Sequence, residues 1–326
     1  GKTLAVFLGP LSETVAGASC SSSSPGHPAP DSGCQVLWLT PLRALAADSL
    51  RALREPLEVL APNLQAEART GDTSASIRAK LRNKLPYTLV TTPESLSLML
   101  THAETREKLS SLKCVIVDEW HELLGTKRGV QTELCLARLR TWFPELRIWG
   151  LSATLGNLTE ARDTLIPTGN PITVSADLSK KITIRTLIPK EIDRFPWSGH
   201  IGTSLGPQVV KALEKAQTTL LFTNTRSQTE IWFQELLSLR PDWQGKIAMH
   251  HGSLDRAERD LAESGLRDGS LKCVVCTSSL DLGVDFSPVD QVIQVGSPKG
   301  IARLLQRAGR SGHQPGKTSE DRKSVV

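Results

Sequence analysis

The sequence predicts an α/β protein of two tandem domains, each a parallel sheet with helices on its faces. Three observations carry that prediction. Short apolar runs alternate with amphipathic stretches along most of the chain, the pattern of repeated strand–helix–strand units. The alternation breaks over Leu187–Gly206, where Pro189, Pro196 and several glycines interrupt it, and then restarts. The length, 326 residues, suffices for two cores at roughly 100–200 residues per domain. Residues 1–188 are therefore expected to form one domain, 189–206 a linker and 207–326 a second domain.

The elements follow in order. An apolar helical run, Leu4 to Leu8, is expected to stop at Gly9-Pro10. Gly17–Gly33, rich in Ser, Pro, Gly and Ala, has no periodic apolar face and reads as a disordered surface insert. Strands then fall at Gln35–Thr40, Thr88–Thr92, Cys114–Glu119 and Arg147–Ser152, with helices at about Pro41–Leu60, Glu94–Leu100 and Val130–Trp142. The second series has strands at Thr218–Thr223, Lys246–His250, Leu271–Thr277 and Gln291–Val295. Its helices are at about Arg226–Leu239, Asp255–Leu266 and Ile301–Arg310.

Composition narrows the class. With 39% apolar and 22% charged residues the chain is not a disordered polyelectrolyte. It has no apolar run near the roughly 18 residues that span a membrane, and its first residues lack a signal-peptide layout, so a cytoplasmic protein is expected. The net charge of +5 suits a polyanionic partner without requiring one. Six cysteines are too few for a disulfide framework; Cys273 and Cys276 form a C-x-x-C inside an apolar strand, where they point to opposite faces. His102, His250 and His313 show no metal-ligand spacing. Trp142, Trp149, Trp232 and Trp243 lie on apolar segments and read as core rather than as base-stacking platforms.

The most specific signal is Val115-Ile116-Val117-Asp118-Glu119-Trp120-His121, an apolar strand that ends in two adjacent carboxylates. Nucleoside triphosphate hydrolysis needs one carboxylate for Mg²⁺, here Asp118, and another to orient and activate water, here Glu119. Gly1-Lys2-Thr3 is the second half of a phosphate loop, with Lys2 for the phosphates and Thr3 for the metal. Gly316-Lys317-Thr318 is not a second one, since Ser311 stands where the first glycine is required. Asp321–Val326 match the translation of a common sequencing adapter, so both ends read as cut.

Gly1-Lys2-Thr3, Asp118-Glu119-Trp120-His121, Ser152-Ala153-Thr154 and Gln306-Arg307-Ala308-Gly309-Arg310 are similar to motifs I, II, III and VI of superfamily-two helicases, in the right order. The run Asp118–Gln131, together with Phe195-Pro196-Trp197-Ser198-Gly199-His200 and Leu221–Ser227, resembles the large-helicase-related (Lhr) family, and Trp120 its ligase-associated repair branch. The resemblance implies two RecA-like domains of the P-loop NTPase type, ATP and Mg²⁺ as cofactors, and 3′-to-5′ movement on single-stranded DNA.

It further implies roles by position. Lys2, Glu119, His121, Gln306, Arg307 and Arg310 are catalytic, the last two as arginine fingers that stabilise charge in phosphoryl transfer. Gly1, Thr3, Asp118, Gly283 and Asp285 complete the nucleotide site, and Ser152, Ala153 and Thr154 couple the domains. A nucleic-acid track is expected at strand ends: Thr40, Pro41, Arg43, Thr70, Gly71, Thr92 and Pro93 in the first domain, and Thr223, Asn224, Thr225, Arg226, His251, Gly252 and Thr277 in the second. Trp197, in the linker motif, is placed with them. Tailed duplex DNA, a DNA–RNA hybrid and repair proteins are the further partners expected. Two alternatives stay open: an RNA-directed member of the superfamily, and a nucleic-acid-binding scaffold with an inactive ATPase.

Overall fold

A computed structural model describes residues 2–21, 33–152, 157–175, 182–187, 202–281, 289–298, 300–309 and 319–324. The chain divides into two compact units, Gly1–Val174 and Ser175–Val326.

The first unit runs α1 (Lys2–Ser21), β1 (Val36–Leu39), α2 (Arg43–Leu60), β2 (Ala66–Arg69), α3 (Ala75–Asn83), β3 (Thr88–Thr91), α4 (Pro93–Met99), α5 (Thr105–Lys108), β4 (Cys114–Val117), α6 (Trp120–Leu123), α7 (Lys127–Trp142), β5 (Arg147–Gly150) and α8 (Leu158–Leu165). Its five strands are all parallel, in the order β2-β3-β1-β4-β5. Two core clusters divide the strand residues by parity. Leu37, Leu39, Leu89, Val115 and Val117 join one, while Val36, Trp38, Val90, Cys114 and Ile116 join the other. That is the signature of a parallel sheet covered on both faces, and it explains why these strands read as unbroken apolar runs.

The second unit comprises β6 (Ile182–Leu187), α9 (Gly206–Glu214), β7 (Thr219–Phe222), α10 (Arg226–Leu239), β8 (Ile247–His250), α11 (Arg256–Arg267), β9 (Cys273–Cys276), β10 (Gln291–Val295), α12 (Ile301–Ala308) and β11 (Ser319–Ser324). Its six strands, again parallel, are ordered β6-β11-β10-β7-β9-β8. Leu221, Cys273, Val275 and Ile293 face one cluster; Leu220, Val274, Cys276 and Val292 face the other. Cys273 and Cys276 thus belong to different cores on opposite faces, and Trp232 and Trp243 are buried in the first of the two.

Three expectations are corrected. Helix α1 passes through Gly9-Pro10 and continues to Ser21, five residues into the stretch read as disordered. Tertiary packing overrides the breaker there: Phe7 and Leu11 are buried against the sheet, and Trp149 lies where a Cβ on Gly9 would meet it at 2.9 Å. The Pro10 carbonyl accepts hydrogen bonds from Thr14 and Tyr87. Next, β6 lies within residues 1–188 yet pairs with β11 of the second unit, so the division falls at 174/175. Finally, the strands are shorter than expected; β4 ends at Val117, leaving Asp118 and Glu119 beyond it. No helix among the described residues is long and apolar enough to cross a membrane.

In-register pairing sets Leu39, Thr91 and Val117 side by side at the carboxyl edge of the first sheet. Thr40, Thr92, Asp118 and Leu151 therefore emerge along one rim, the rim where ligands bind in open parallel sheets. Phe222, His250 and Cys276 are level in the second sheet, which brings Thr223, His251 and Thr277 to its own rim.

Candidate nucleotide and nucleic-acid sites

Beyond β4 the backbone turns sharply. The Asp118 amide donates to the Leu39 carbonyl at 2.8 Å, and Asp118 Oδ1 accepts from the Glu119 amide at 3.0 Å. Glu119 has φ +47°, the one described non-glycine residue with positive φ. Such a left-handed residue costs on the order of 1 kcal/mol or more and persists only where its surroundings hold it. Trp120 does the holding: its amide donates to the Leu151 carbonyl at 2.8 Å, and its buried indole Nε1 donates to the Ala161 carbonyl at 2.8 Å.

Around this turn gather residues far apart in sequence. His121 Nδ1 lies 3.1 Å from Ser152 Oγ and 3.4 Å from Glu119 Oε2, while its Nε2 is 3.6 Å from Glu122 Oε1. Lys2 Nζ reaches toward the Ser152 carbonyl at 3.5 Å. Burial, reinforced by the Glu119 charge, pushes the Asp118 carboxyl up to about 6. Burial also lowers His121, against the pull of Glu119 and Glu122. Glu119 Oε2 is buried and has no hydrogen-bond partner.

These observations fit a divalent cation. A carboxyl disfavoured as an anion beside another whose oxygen lacks a donor is a site short of positive charge. Among the described residues no group of three or more His, Cys, Asp or Glu could hold a metal alone. The donor set therefore suits Mg²⁺ taken with phosphates and water, as Mg²⁺ prefers, rather than an all-protein cage. Gly1, Ala153, Thr154, Gly283, Asp285, Arg310 and Trp197, which the sequence assigned to the sites, lie outside the described residues.

At the first rim, the Arg43 guanidinium meets Asp72 at 2.7 Å beside Gly71, where a Cβ would stand 2.8 Å from that guanidinium. Thr70 accepts from the Asp72 amide through its Oγ1 at 3.3 Å. Thr92 caps α4 without using its side chain, and Pro93 begins the helix. At the second rim, Thr225 caps α10 by accepting from the Gln228 amide, Arg226 is exposed, and Asn224 Nδ2 donates to the Ser297 carbonyl at 3.0 Å. His251, buried, accepts from the Ser253 amide at 3.3 Å, and a Cβ at Gly252 would meet nothing within 4 Å. Thr277 Oγ1 donates to Ser279 Oγ at 3.5 Å.

Two of the assigned hydroxyls are not presented. Thr40 Oγ1 donates to the Leu42 carbonyl at 3.2 Å, and Thr223 Oγ1 lies 2.7 Å from Thr229 Oγ1, both residues being fully buried. They shape their turns.

Arg307 is also corrected. It is only 2% exposed; its Nε and Nη2 donate to the two carboxylate oxygens of Asp281 at 2.6 and 3.0 Å, and its Nη1 donates to Gln294. The guanidinium carbon stands 4.5 Å from the Phe222 ring centre. All its nitrogens are engaged inside the second unit, so Arg307 ties α12 to β10 and to the segment after β9 rather than reaching a nucleotide. Gln306, beside it, is half-buried. Sequence spacing put Arg307 and Arg310 on one helical face but carried no sign of Asp281, 26 residues upstream.

The family profile described as DEAD/DEAH box helicase matches residues 1–161, and that described as helicase conserved C-terminal domain matches 206–314. The chain is 37% identical over 325 residues to the ATP-dependent helicase Lhr-Core of Methanocaldococcus jannaschii, covering 96% of this chain and 37% of that protein. The Lhr helicase/uracil glycosylase of Escherichia coli is 32% identical, over 98% of this chain and 24% of its own length. Among solved structures, Mycobacterium smegmatis helicase Lhr bound to ssDNA and AMP-PNP is similar with a TM-score of 0.81 and 34% identity, over 100% of this chain and 42% of that one. The chain thus spans well under half the length of these relatives.

Proposed function

Because this chain belongs to the Lhr-related superfamily-two helicases, we propose that it is the ATP-hydrolysing motor core of a DNA helicase or translocase that moves 3′ to 5′ along single-stranded DNA. The observation that carries the reading is the turn after β4: Glu119, held left-handed beside Asp118, keeps a buried carboxylate oxygen without a donor. A general base needs a shielded oxygen with capacity to accept a proton from water, and Glu119 Oε2, buried and without a hydrogen-bond donor, offers one.

Asp118 with Thr3 would hold Mg²⁺, which supplies charge neutralisation for the phosphates when bound. Lys2 stands at the same edge, 3.5 Å from the Ser152 carbonyl, with a cation for the triphosphate. Glu119 orients the attacking water and takes its proton. His121, whose burial disfavours its charged form, links Glu119 to Ser152, the start of the coupling segment. Arg310 is proposed as the arginine finger. The nucleic acid would run along the two rims, gripped through backbone groups and Thr92, Thr225, Arg226 and Thr277. A role in DNA repair within the cytoplasm, in the ligase-associated branch, belongs to the same proposal; the M. smegmatis relative bound to ssDNA supports DNA as the substrate.

Glu119→Gln in the full-length protein is expected to keep ATP and DNA binding while turnover falls by about 10²–10⁴, the usual contribution of a general base. Wild-type turnover in that variant would remove Glu119 from the role. For direction, a duplex with a 3′ single-stranded tail should be unwound when its 5′-tailed counterpart is not. Stimulation of ATPase by RNA alone would overturn DNA as the substrate and leave the ATPase standing.

A further inference from the structure

Arg128 lies in the Asp118–Gln131 run but was given no role there, and it touches two of the rim segments. Its Nη1 donates to the Pro41 carbonyl at 2.8 Å, and its Nε pairs with Glu94 Oε1 at 2.5 Å. Pro41 belongs to the β1–α2 turn and Glu94 to the first turn of α4; β1 and β3 are adjacent in the sheet, so one planar guanidinium bridges neighbouring strand ends. From the other side, Arg69 Nη1 donates to the Ser95 carbonyl at 2.8 Å, so the start of α4 is held by arginines from two directions.

The base of Arg128 is tied to the hydrolytic turn. Helix α6 begins immediately after Glu119 and ends at Leu123. Thr126 Oγ1 donates to the Leu123 carbonyl at 2.7 Å and accepts from the Gly129 amide at 3.1 Å. Gly129 sits so close that a Cβ there would stand 2.2 Å from the Leu123 oxygen. The ten residues from Glu119 to Arg128 thus form a short hydrogen-bonded knob, with the catalytic turn at one end and the bridge to both rim segments at the other.

We propose that Arg128 is a positioning residue that sets the spacing of the Thr40–Leu42 and Thr92–Glu94 segments for a nucleic-acid backbone and registers that spacing to the Glu119 turn. This rests on the nucleic-acid-driven ATPase reading. The guanidinium suits the task because its donors have fixed relative directions, so that one N–H serves a carbonyl while another serves a carboxylate. Lysine, a point charge on a flexible stem, holds one partner at a time. With its side chain 43% exposed and Glu94 at 47%, the ion pair is of the solvent-screened kind that contributes little to folding, so its loss should not be a stability effect.

The test measures ATPase of the full-length protein without nucleic acid and across a titration with single-stranded DNA, for wild type, Arg128→Ala, Arg128→Lys and Glu94→Gln. Arg128→Ala should keep basal turnover within twofold and its melting temperature within a few degrees, while the DNA concentration for half-stimulation rises about tenfold or more. Arg128→Lys should recover less than half of that loss. Glu94→Gln should give a smaller loss, and the double variant should be no worse than Arg128→Ala alone, the mark of residues acting as one unit. Wild-type stimulation in Arg128→Ala, full rescue by lysine, or a matching collapse of basal turnover would overturn the assignment. Failure of DNA to stimulate the wild type would instead sink the motor reading together with it.

Discussion

Glu119 and Arg307 show two opposite environments for an ionisable side chain. Glu119 Oε2 has no hydrogen-bond donor, with His121 Nδ1 at 3.4 Å, and it stands beside Asp118, whose own carboxyl is pushed up to about 6, so this corner of the fold is held at a cost to stability. Arg307 is fully satisfied, by Asp281, Gln294 and the face of Phe222. Substituting the two motif arginines should therefore give different results. Arg307→Ala leaves buried Asp281 with the longer 3.5 Å contact to Arg303, and is expected to destabilise the second unit by about 3–5 kcal/mol, read as the denaturation midpoint. Arg310→Ala is expected to leave that midpoint alone and to lower hydrolysis by a factor on the order of 10³ or more with much less change in ATP affinity. Equal stability losses in the two would mean that Arg310 also serves the fold.

Elements are placed by contacts that periodicity does not encode. Helix α7 starts at Lys127, earlier than its apolar repeat begins, because Thr126 supplies an N-cap and Gly129 lets the chain pass the Leu123 carbonyl. In the second unit, His250 at the end of β8 joins two neighbours: its Nδ1 is 2.7 Å from Ser279 Oγ and its Nε2 is 3.3 Å from Glu263 on α11. The His250 hydrogen bond, helped by Arg267 and Arg259, holds the Glu263 carboxyl below its ordinary range. A carboxyl depressed in the folded state stabilises above its unfolded value and loses that contribution as pH falls through the folded one. Glu263→Gln should accordingly lower the unfolding free energy by about 1 kcal/mol at pH 7, with the difference closing as pH drops below the usual carboxylate value of 4.5. A difference that persists unchanged into acid would assign the loss to packing instead.

For the whole molecule, the proposed nucleic-acid track would meet mainly backbone amides and a few basic side chains at the two rims, since Thr40 and Thr223 keep their hydroxyls to themselves. Binding through phosphates predicts an affinity that falls with salt at a logarithmic slope of about 0.7 per phosphate neutralised on a single strand, and that varies little with base sequence. A shallow slope with strong sequence preference would point to base readout. Much of this architecture was legible in the chain itself. Unbroken runs such as Val36–Leu39, Cys114–Val117 and Cys273–Cys276 announce strands buried on both faces, and the adjacent carboxylates Asp118 and Glu119 mark the candidate site on which the proposed hydrolysis rests, because both are local patterns with a local cause. What the sequence concealed depends on partners far along the chain. Pro10 is tolerated inside α1 because the sheet holds the helix; β6 belongs to the second unit because β11 pairs with it; and Arg307 turns inward because Asp281 waits there. A residue's spacing restricts the directions in which its side chain can point, but whether it ends in solvent or against a buried carboxylate is decided by which elements pack beside it, and only the tertiary structure brings those together.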